Sequence, residues 1–449
     1  MKVLHIGDSR VIRIIQGDRV NLQKQHHLSR WAFHTNVDNG ILLRSSLSKQ
    51  VFLLTREEWA AVERRDFTSP AMEELARLRL LVEADYDEMA EYAMVSAVLG
   101  RLGHGRPGTG TYTILPTTGC NARCVYCFEQ GVSVRNMSPE TADRLVDYIC
   151  ETRQKDMIKL KWFGGEPLCA SGIISRICSG LQNRDVDFIS TITTNGSLFT
   201  PAMISEAVEL WHLKRAQVSM DGAREDYEDK KRYIRPDLHN YDVVMENICL
   251  LAEAGVDVVI RCNSDRENAS SVCSFIDECA ERFHGMERIR VSPSLLQQEF
   301  RGLEDTKAGA IVLKRLRDYA AARGFPQPGM LTAALKTHQC MADSGGKSIL
   351  IDPEGGLHTC DVLVDDTPLG NIFDNLLPVW PTAPSEPAEE CRHCCFLPDC
   401  TMHYKKACPL SLVDCREIMS VNTAEAMKNL LSSSEDPDVE ADDMEDEIC

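Results

Sequence analysis

The strongest constraint on the fold is an alternation between residues 110 and 300. Short apolar runs, "TYTILPTT", "IKLKWFGG", "FISTITTNG", "AQVSMDG", "VDVVIRCNS" and "RIRVSPSLL", are separated by stretches with helical spacing. Ser138-Pro139 opens one helix, with Leu145, Val146 and Ile149 on it, and Thr200-Pro201 opens another; proline suits the first helical position because its missing N–H is not needed there. Six strands alternating with helices predict a parallel sheet with right-handed crossovers. A curved sheet or partial barrel of this kind carries its working residues at the C-terminal strand ends.

At 449 residues the chain has room for two or three structural units. Its net charge of −19 argues against a nucleic-acid partner, whose binding starts from clustered Lys and Arg on phosphates. Nearly half of that charge lies in residues 435 to 449, with nine acidic side chains and no Lys or Arg, so this segment reads as a disordered, solvated tail or an interaction arm. No stretch approaches the ~20 apolar residues of a spanning helix, and the N-terminus "MKVLHIGDSRVIRIIQGD" has no apolar signal core. The expectation is a cytoplasmic protein without a membrane partner. There, nineteen cysteines stay reduced, and clustered ones point to metal or redox chemistry.

The cysteines are unevenly placed. None precedes residue 120; Cys120, Cys124 and Cys127 follow within eight positions; and eight more crowd residues 340 to 415. Cys150, Cys169, Cys178, Cys249, Cys262, Cys273 and Cys279 stand singly and read as small buried apolar residues. Three thiols just after a strand leave one iron of a 4Fe-4S cube open for a small molecule. Spacing alone also admits a zinc site or a structural cluster.

The spacing Cys120-x3-Cys124-x2-Cys127 resembles the signature of the radical S-adenosylmethionine enzymes. The resemblance implies that the open iron is chelated by the methionine moiety and that an electron from the cluster yields a 5'-deoxyadenosyl radical, the cofactor carrying the chemistry and the protein placing the parts. Companion motifs agree. Gly164, Gly165, Glu166 and Pro167 in "WFGGEP" match the element that holds the methionine ammonium: glycines allow close backbone approach and Glu166 pairs with the nitrogen. Tyr126 takes the aromatic position that lies against adenine, and "TTNG", Thr193 to Gly196, closes the next strand. Ser219 is implied to meet the ligand's polar groups and Asn263 its ribose, with Asp221 beside them; each of the three taken singly also fits a turn or cap. Arg232 and Arg235 both qualify as the basic partner of the ligand carboxylate.

The C-terminal cysteines resemble the SPASM extension of radical enzymes that modify peptides and proteins. On that pattern Cys391, Cys394, Cys400 and Cys415 hold an outer auxiliary cluster, and Cys340, Cys360 and Cys408 an inner one. Gly355 and "LGNI", residues 369 to 372, fit the same pattern. Two departures stand out: seven residues separate Cys400 from Cys408 where three is usual, and no thiol lies near Gly345, where sulfatase-maturing relatives have one. The inner cluster is therefore either open at one iron, which suits a substrate thiolate, or closed by Asp343, water or Cys395. Zinc is the rival for the region, since His358, His393 and His403 lie among the cysteines.

The first 110 residues hold no cysteine. Strands joined at Asn39-Gly40, with apolar runs Ile41 to Leu43 and Val51 to Leu54, predict a hairpin. Thr55 with Glu58 makes a capping box, and Ser69-Pro70 starts a helix bearing Leu75, Leu78 and Leu81. This small sheet with helices resembles leader-recognition domains, which accept a peptide as an added strand; plain support for the barrel is the alternative.

The expected architecture is α/β: a partial (β/α)6 TIM-like barrel over 109–325, an N-terminal α+β domain over 1–108, a SPASM domain over 326–422 and an acidic tail over 423–449. The expected enzyme uses S-adenosylmethionine and three 4Fe-4S clusters, takes electrons from a flavodoxin or ferredoxin, and matures a ribosomally made precursor peptide through a thioether or carbon cross-link. The competing activity is formylglycine formation on a protein Cys or Ser, with Asp361 as base. A non-enzymatic electron carrier or zinc-stabilised binding protein is the third reading.

Overall fold

The computed structural model describes the chain apart from residues 16–23, 104–107, 128–130, 155–156, 266–267, 297–302, 328–340, 342–343, 361–366, 375–376, 381–390, 400–414 and 434–449. It divides into two compact units, Met1–Gly105 with Pro328–Cys340 and Ala383–Cys449, and Arg106–Gln327 with Met341–Thr382. The region expected as one SPASM domain is thus shared between them.

In the first unit, β1 (Lys2–His5), β2 (His26–Leu28), β3 (Ala32–Val37), β4 (Gly40–Ser45), β5 (Val51–Leu54) and β6 (Leu81–Glu83) build an antiparallel sheet ordered β1-β5-β4-β3 and a β2–β6 pair. The predicted β4–β5 hairpin forms, with Ile41 opposite Leu54. β4 is buried along its whole length because both faces are covered. Leu43, Phe52 and Leu54 pack with Met72 and Leu75 of helix Pro70–Arg77. Leu42 and Val51 pack with Met427 of helix Cys415–Ser433. The capping box closes as expected: the Glu58 amide donates to Thr55 Oγ1 at 3.2 Å and the Thr55 amide to Glu58 Oε2 at 2.8 Å. The acidic tail does not begin at 423. Residues 423–433 continue a helix, because Ala426 and Met427 are buried and Leu430 packs beside Met427, and apolar residues three and four apart share one helix face.

In the second unit, six parallel strands run in the order β12-β11-β10-β9-β8-β7: β7 (Thr111–Ile114), β8 (Ile158–Trp162), β9 (Phe188–Thr194), β10 (Leu213–Met220), β11 (Asp257–Ser264) and β12 (Ile289–Leu295). All six predicted strands are present. The sheet continues past β7 with β13 (Ser348–Ile351), parallel to β7, then the antiparallel β14 (Gly356–His358) and β15 (Gly370–Asn371). The "LGNI" segment is therefore an edge strand. One face of the sheet, through Leu160, Trp162, Ile192, Val218 and Ile260, packs against a ring of helices through Leu145, Ile177, Ile248 and Phe275. Ser138 caps the first of these helices by accepting from the Thr141 amide at 3.1 Å, and Thr200 caps another. β12 and β15 end the sheet, so the barrel is open.

Candidate active site

The loop bearing Cys120, Cys124 and Cys127 leaves the C-terminal end of β7 and is held from two sides by backbone. On one side the amides of Gly165 and Glu166 donate to the carbonyls of Thr117 and Gly119 at 3.3 and 2.9 Å. On the other, the segment after helix Arg224–Lys231 runs alongside the loop: the Arg123 amide donates to the Arg232 carbonyl (2.9 Å), Val125 to Lys230 (3.1 Å) and Ile234 to Asn121 (2.9 Å). The glycines make this approach possible. Gly164 has φ +117°, open to glycine and strained for other residues, and a Cβ there would fall on the Thr117 carbonyl oxygen. A Cβ on Gly165 would stand 2.5 Å from the carbonyl oxygens of Thr118 and Gly119.

The three thiols are half-buried. Burial pushes the Cys120 thiol up to about 12 and raises Cys124 as well, with Lys231 opposing the shift at Cys124. Among the described residues no three His, Cys, Asp or Glu groups are closed to metal-holding distance; the three cysteines share one clamped loop.

Glu166 is fully buried at the end of β8. Its carboxylate accepts from the Leu168 amide (3.1 Å), the Thr194 hydroxyl (2.7 Å) and the Asn195 amide (2.7 Å). Burial raises its pKa and these bonds pull it back. Here "TTNG" acquires a task. Thr194 and Asn195 are donors to Glu166, and the Asn195 side chain donates to Asn121 Oδ1 at 2.8 Å, joining the cysteine loop to the end of β9.

The ends of β10 and β11 carry a second buried network. Asp221 is fully buried; its Oδ1 accepts from Asn263 Nδ2 at 3.0 Å, and its Oδ2 lies 3.2 Å from the Lys231 ammonium without a well-directed hydrogen bond. Lys231 Nζ and Asn263 Nδ2 both donate to the Tyr126 hydroxyl, at 3.2 and 3.3 Å. Burial would lower the Lys231 pKa, but Asp221 and the phenols around it raise it well above the ordinary value. Sequence reasoning missed Lys231. Its neighbours Arg232 and Arg235 face solvent, Arg232 donating to the Asp229 carbonyl and Arg235 pairing with Asp237. The signal was an acidic "VSMDG" strand end followed by a helix whose last residue turns inward. Ser219 is half-buried on β10, level with Arg261, and among the described residues no hydrogen bond joins it to the network.

The scattered cysteines need one correction. Cys178, Cys262 and Cys279 are buried as expected and Cys150, Cys249 and Cys273 half-buried, but Cys169 is exposed. It sits in the short turn Pro167–Ala170 beside Glu166, where the polar GGEP end of the strand leaves no apolar pocket for it.

Of the C-terminal candidates, Cys360 follows β14 in the second unit, while Cys391, Cys394 and Cys395 lie in the first, all half-buried. Cys340, Asp343, Asp361, Cys400, His403 and Cys408 lie outside the described residues, and Cys415 begins the last helix. His358 Nε2 lies in a buried pair with Asp352 Oδ2 at 3.0 Å.

A loop of three soft thiol donors against a carboxylate and bare glycine backbone fits an iron–sulfur cluster with a bound amino acid group. The comparisons agree. Residues 114–276 match the profile described as the Radical SAM superfamily, and this stretch contains every site residue from Cys120 to Asn263. These residues thus carry a Radical SAM superfamily domain, which marks the protein as an enzyme, and the residues present fit S-adenosylmethionine and a 4Fe-4S cluster. Among curated relatives, it is 24% identical over 262 residues to GTP 3',8-cyclase of Clostridium perfringens, covering 54% of this chain and 78% of that protein. It is 29% identical to the radical SAM cyclopropyl synthase TigE of Paramaledivibacter caminithermalis over 114 residues, 21% of this chain and 23% of that one. In fold it is similar to native anSMEcpe with bound AdoMet and Cp18Cys peptide: TM-score 0.56, 18% identity, 72% of this chain and 99% of that one. Among the described residues no helix is long and apolar enough to cross a membrane.

Proposed function

We propose that this enzyme matures a ribosomally made peptide. The observation that carries the radical assignment is the cysteine loop clamped between the GGEP strand end and residues 230–234. Cys120, Cys124 and Cys127 supply three thiolates. With S-adenosylmethionine bound, the Gly164–Gly165 backbone and Glu166 would hold the methionine ammonium, Tyr126 the adenine, and Ser219 and Asn263 the polar groups of the nucleoside. Lys231 and Asp221 act as positioning residues, Lys231 on Tyr126 and Asp221 on Asn263, each from a buried site. When bound, the cofactors supply one-electron cleavage of a sulfonium and so a species that removes hydrogen from an unactivated carbon.

A peptide substrate is supported by the first unit, whose sheet, among the described residues, ends at β3 with β4 as neighbour; such an edge accepts an extended leader as an added strand. It is also supported by the likeness in fold to an enzyme crystallised with a peptide. The substrate gives up one hydrogen, then an electron and a proton as a thioether or carbon cross-link closes. If an auxiliary 4Fe-4S cluster is bound, Cys391, Cys394, Cys400 and Cys415 would hold it, and it would supply an acceptor for that electron. A flavodoxin or ferredoxin of the cytoplasm supplies the reductant.

The test is anaerobic incubation of reconstituted, reduced protein with S-adenosylmethionine. Wild type should release 5'-deoxyadenosine and Cys124→Ala should not; release by the variant refutes the cluster assignment. A precursor encoded beside the gene should lose two hydrogens by mass. An aldehyde at Cys or Ser, captured by a hydrazide, would move the assignment to formylglycine formation, since from Ser that product also lacks two hydrogens and mass alone does not separate the two.

A further inference from the structure

The ribbon that clamps the cysteine loop has an outer face that the chemistry above does not use. Residues 121–125 and 230–234 run antiparallel, with Ala122 opposite Tyr233 and amides donating from Arg123 to Arg232, from Val125 to Lys230 and from Ile234 to Asn121. Side chains alternate across such a ribbon. Ala122, Lys231 and Tyr233 turn inward, Lys231 to the Tyr126 hydroxyl and Tyr233 to the Asn195 carbonyl. Arg123 and Arg232 stand opposite each other on the outer face, both exposed, between Val125, 47% exposed, and Ile234, 57% exposed. Val125 and Ile234 are four residues apart in this register, ~13 Å at ~3.3 Å per residue. Arg123 Nη1 donates to the carbonyls of Cys120 and Ala122, both at 2.8 Å, and Arg232 Nε to the Asp229 carbonyl at 3.1 Å. Among the described residues neither guanidinium pairs with a carboxylate. Of the acids around the ribbon, Asp265 pairs with Lys230 and Asp237 with Arg235, while Asp229 is exposed.

We infer that this face is the docking surface of a flavodoxin-type electron carrier, a small acidic protein that presents the apolar edge of its flavin. The inference rests on the reading of Cys120, Cys124 and Cys127 as ligands of a reducible cluster, and it says where the electron enters. The face backs the cysteine loop itself, so a carrier seated on it is one layer of backbone away from the thiols. The substrate must instead reach the inner side, where Tyr126 and Asn263 lie. Apolar side chains flanking two cations match an apolar flavin edge set in an acidic surface. In a chain of net charge −19 such a carrier docks where local cations offset the general repulsion and fix its orientation. The patch is small, as suits redox encounters, whose interfaces stay under about 1,200 Å². The step moves one electron: the reduced flavin loses it, the cluster on the three thiolates gains it, and no bond forms or breaks.

The test uses the full-length reconstituted enzyme, with oxidised flavodoxin as the probe in titration calorimetry. Flavodoxin should bind, more weakly as salt is added. Arg123→Gln with Arg232→Gln should weaken binding about fivefold, the scale of two exposed ion pairs, and Asp229→Asn should tighten it. A control with the same charge change on the helical side, Arg176→Gln with Arg184→Gln, should bind as wild type. Release of 5'-deoxyadenosine is then measured for each protein with reduced flavodoxin and again with dithionite. The ratio of the two cancels any loss of cluster, and it should fall in the Arg123, Arg232 variant. Unchanged binding and an unchanged ratio in that variant, or an equal loss in the control, overturns the inference. Binding of a 2Fe-2S ferredoxin in place of flavodoxin, with the same dependence on Arg123 and Arg232, overturns it as well, because the partner is then a different carrier. No release from wild type with dithionite refutes the cluster reading and the inference with it, whereas normal release with dithionite beside binding insensitive to the arginines refutes the inference alone.

Discussion

Asp399 should be the most sensitive single position in the first unit. Its carboxylate is clasped by two cations of the β4–β5 hairpin, Arg44 through both guanidinium nitrogens (Nη2 to Oδ1 at 3.0 Å) and Lys49, whose ammonium also donates to the Pro398 carbonyl at 3.1 Å. Arg44 and Lys49 are each 1% exposed and the Asp399 side chain 5%. Burial alone would raise the Asp399 pKa, but the two cations hold it well below the usual carboxylate range, while burial pushes Lys49 down to about 8 against the pull of Asp399. One anion thus neutralises two buried cations, with little to spare. Asp399→Asn keeps the shape and removes the charge, leaving both cations without their contacting anion and only Asp8 acting on Lys49, at a cost of about 3–5 kcal/mol. The chain is not a two-state system, so the assay is local: amide hydrogen exchange of peptides covering β4 and β5. At 1.36 kcal/mol per tenfold, exchange should speed up by about 10² to 10³·⁵. The cysteine segment should loosen with it, since Ser46 donates to the Cys395 carbonyl, Arg30 donates to the Arg392 carbonyl and Phe33 meets Phe396. A rise of less than about fivefold, or an equal rise in Lys49→Met, would refute this account of the charge balance.

Other consequences follow from the same geometry. Between about pH 8 and 10.5 folded Lys49 has released its proton and unfolded Lys49 has not, so protection of β4–β5 corrected for intrinsic rate should rise with pH across that window and fall back below it; in Lys49→Met the rise should vanish. Gly165→Ala should lower iron bound per chain and 5'-deoxyadenosine release together while the far-ultraviolet circular dichroism stays unchanged, since its Cβ collides with backbone of the cysteine loop; full iron uptake would count against the clamp. Lys231→Met should destabilise its surroundings by about 3–5 kcal/mol, because it strands the fully buried Asp221; unchanged amide exchange of β10 and helix Arg224–Lys231 would refute this pairing.

Much of the site was legible because its chemistry is written in short spacings. The alternation of apolar runs predicted all six parallel strands, and Cys120, Cys124, Cys127, Gly164, Gly165 and Glu166 all come together at the strand ends where parallel topology puts them. Three further strands of that sheet escaped notice, as did β1, β2 and β6 of the first unit. β13 is four residues long and joins the sheet beside β7, more than two hundred positions earlier, and nothing local in "SILI" distinguishes a seventh parallel strand from a short buried run.

What the sequence by itself determined is therefore the periodic and contiguous part: which stretches are strands, which helices begin at Ser138, Thr200 and Thr55, and which thiols share a loop. These follow from residue spacing, and spacing is a property of the chain before it folds. Only the tertiary structure decided that Lys231 and not Arg232 or Arg235 turns inward to Asp221 and Tyr126, that Thr194 and Asn195 serve Glu166, and that Asp399 closes onto Arg44 and Lys49 across some 350 residues. The reason is energetic. A charged side chain is stable in the interior only where distant parts of the chain deliver its partner, and no local pattern records where that delivery will occur.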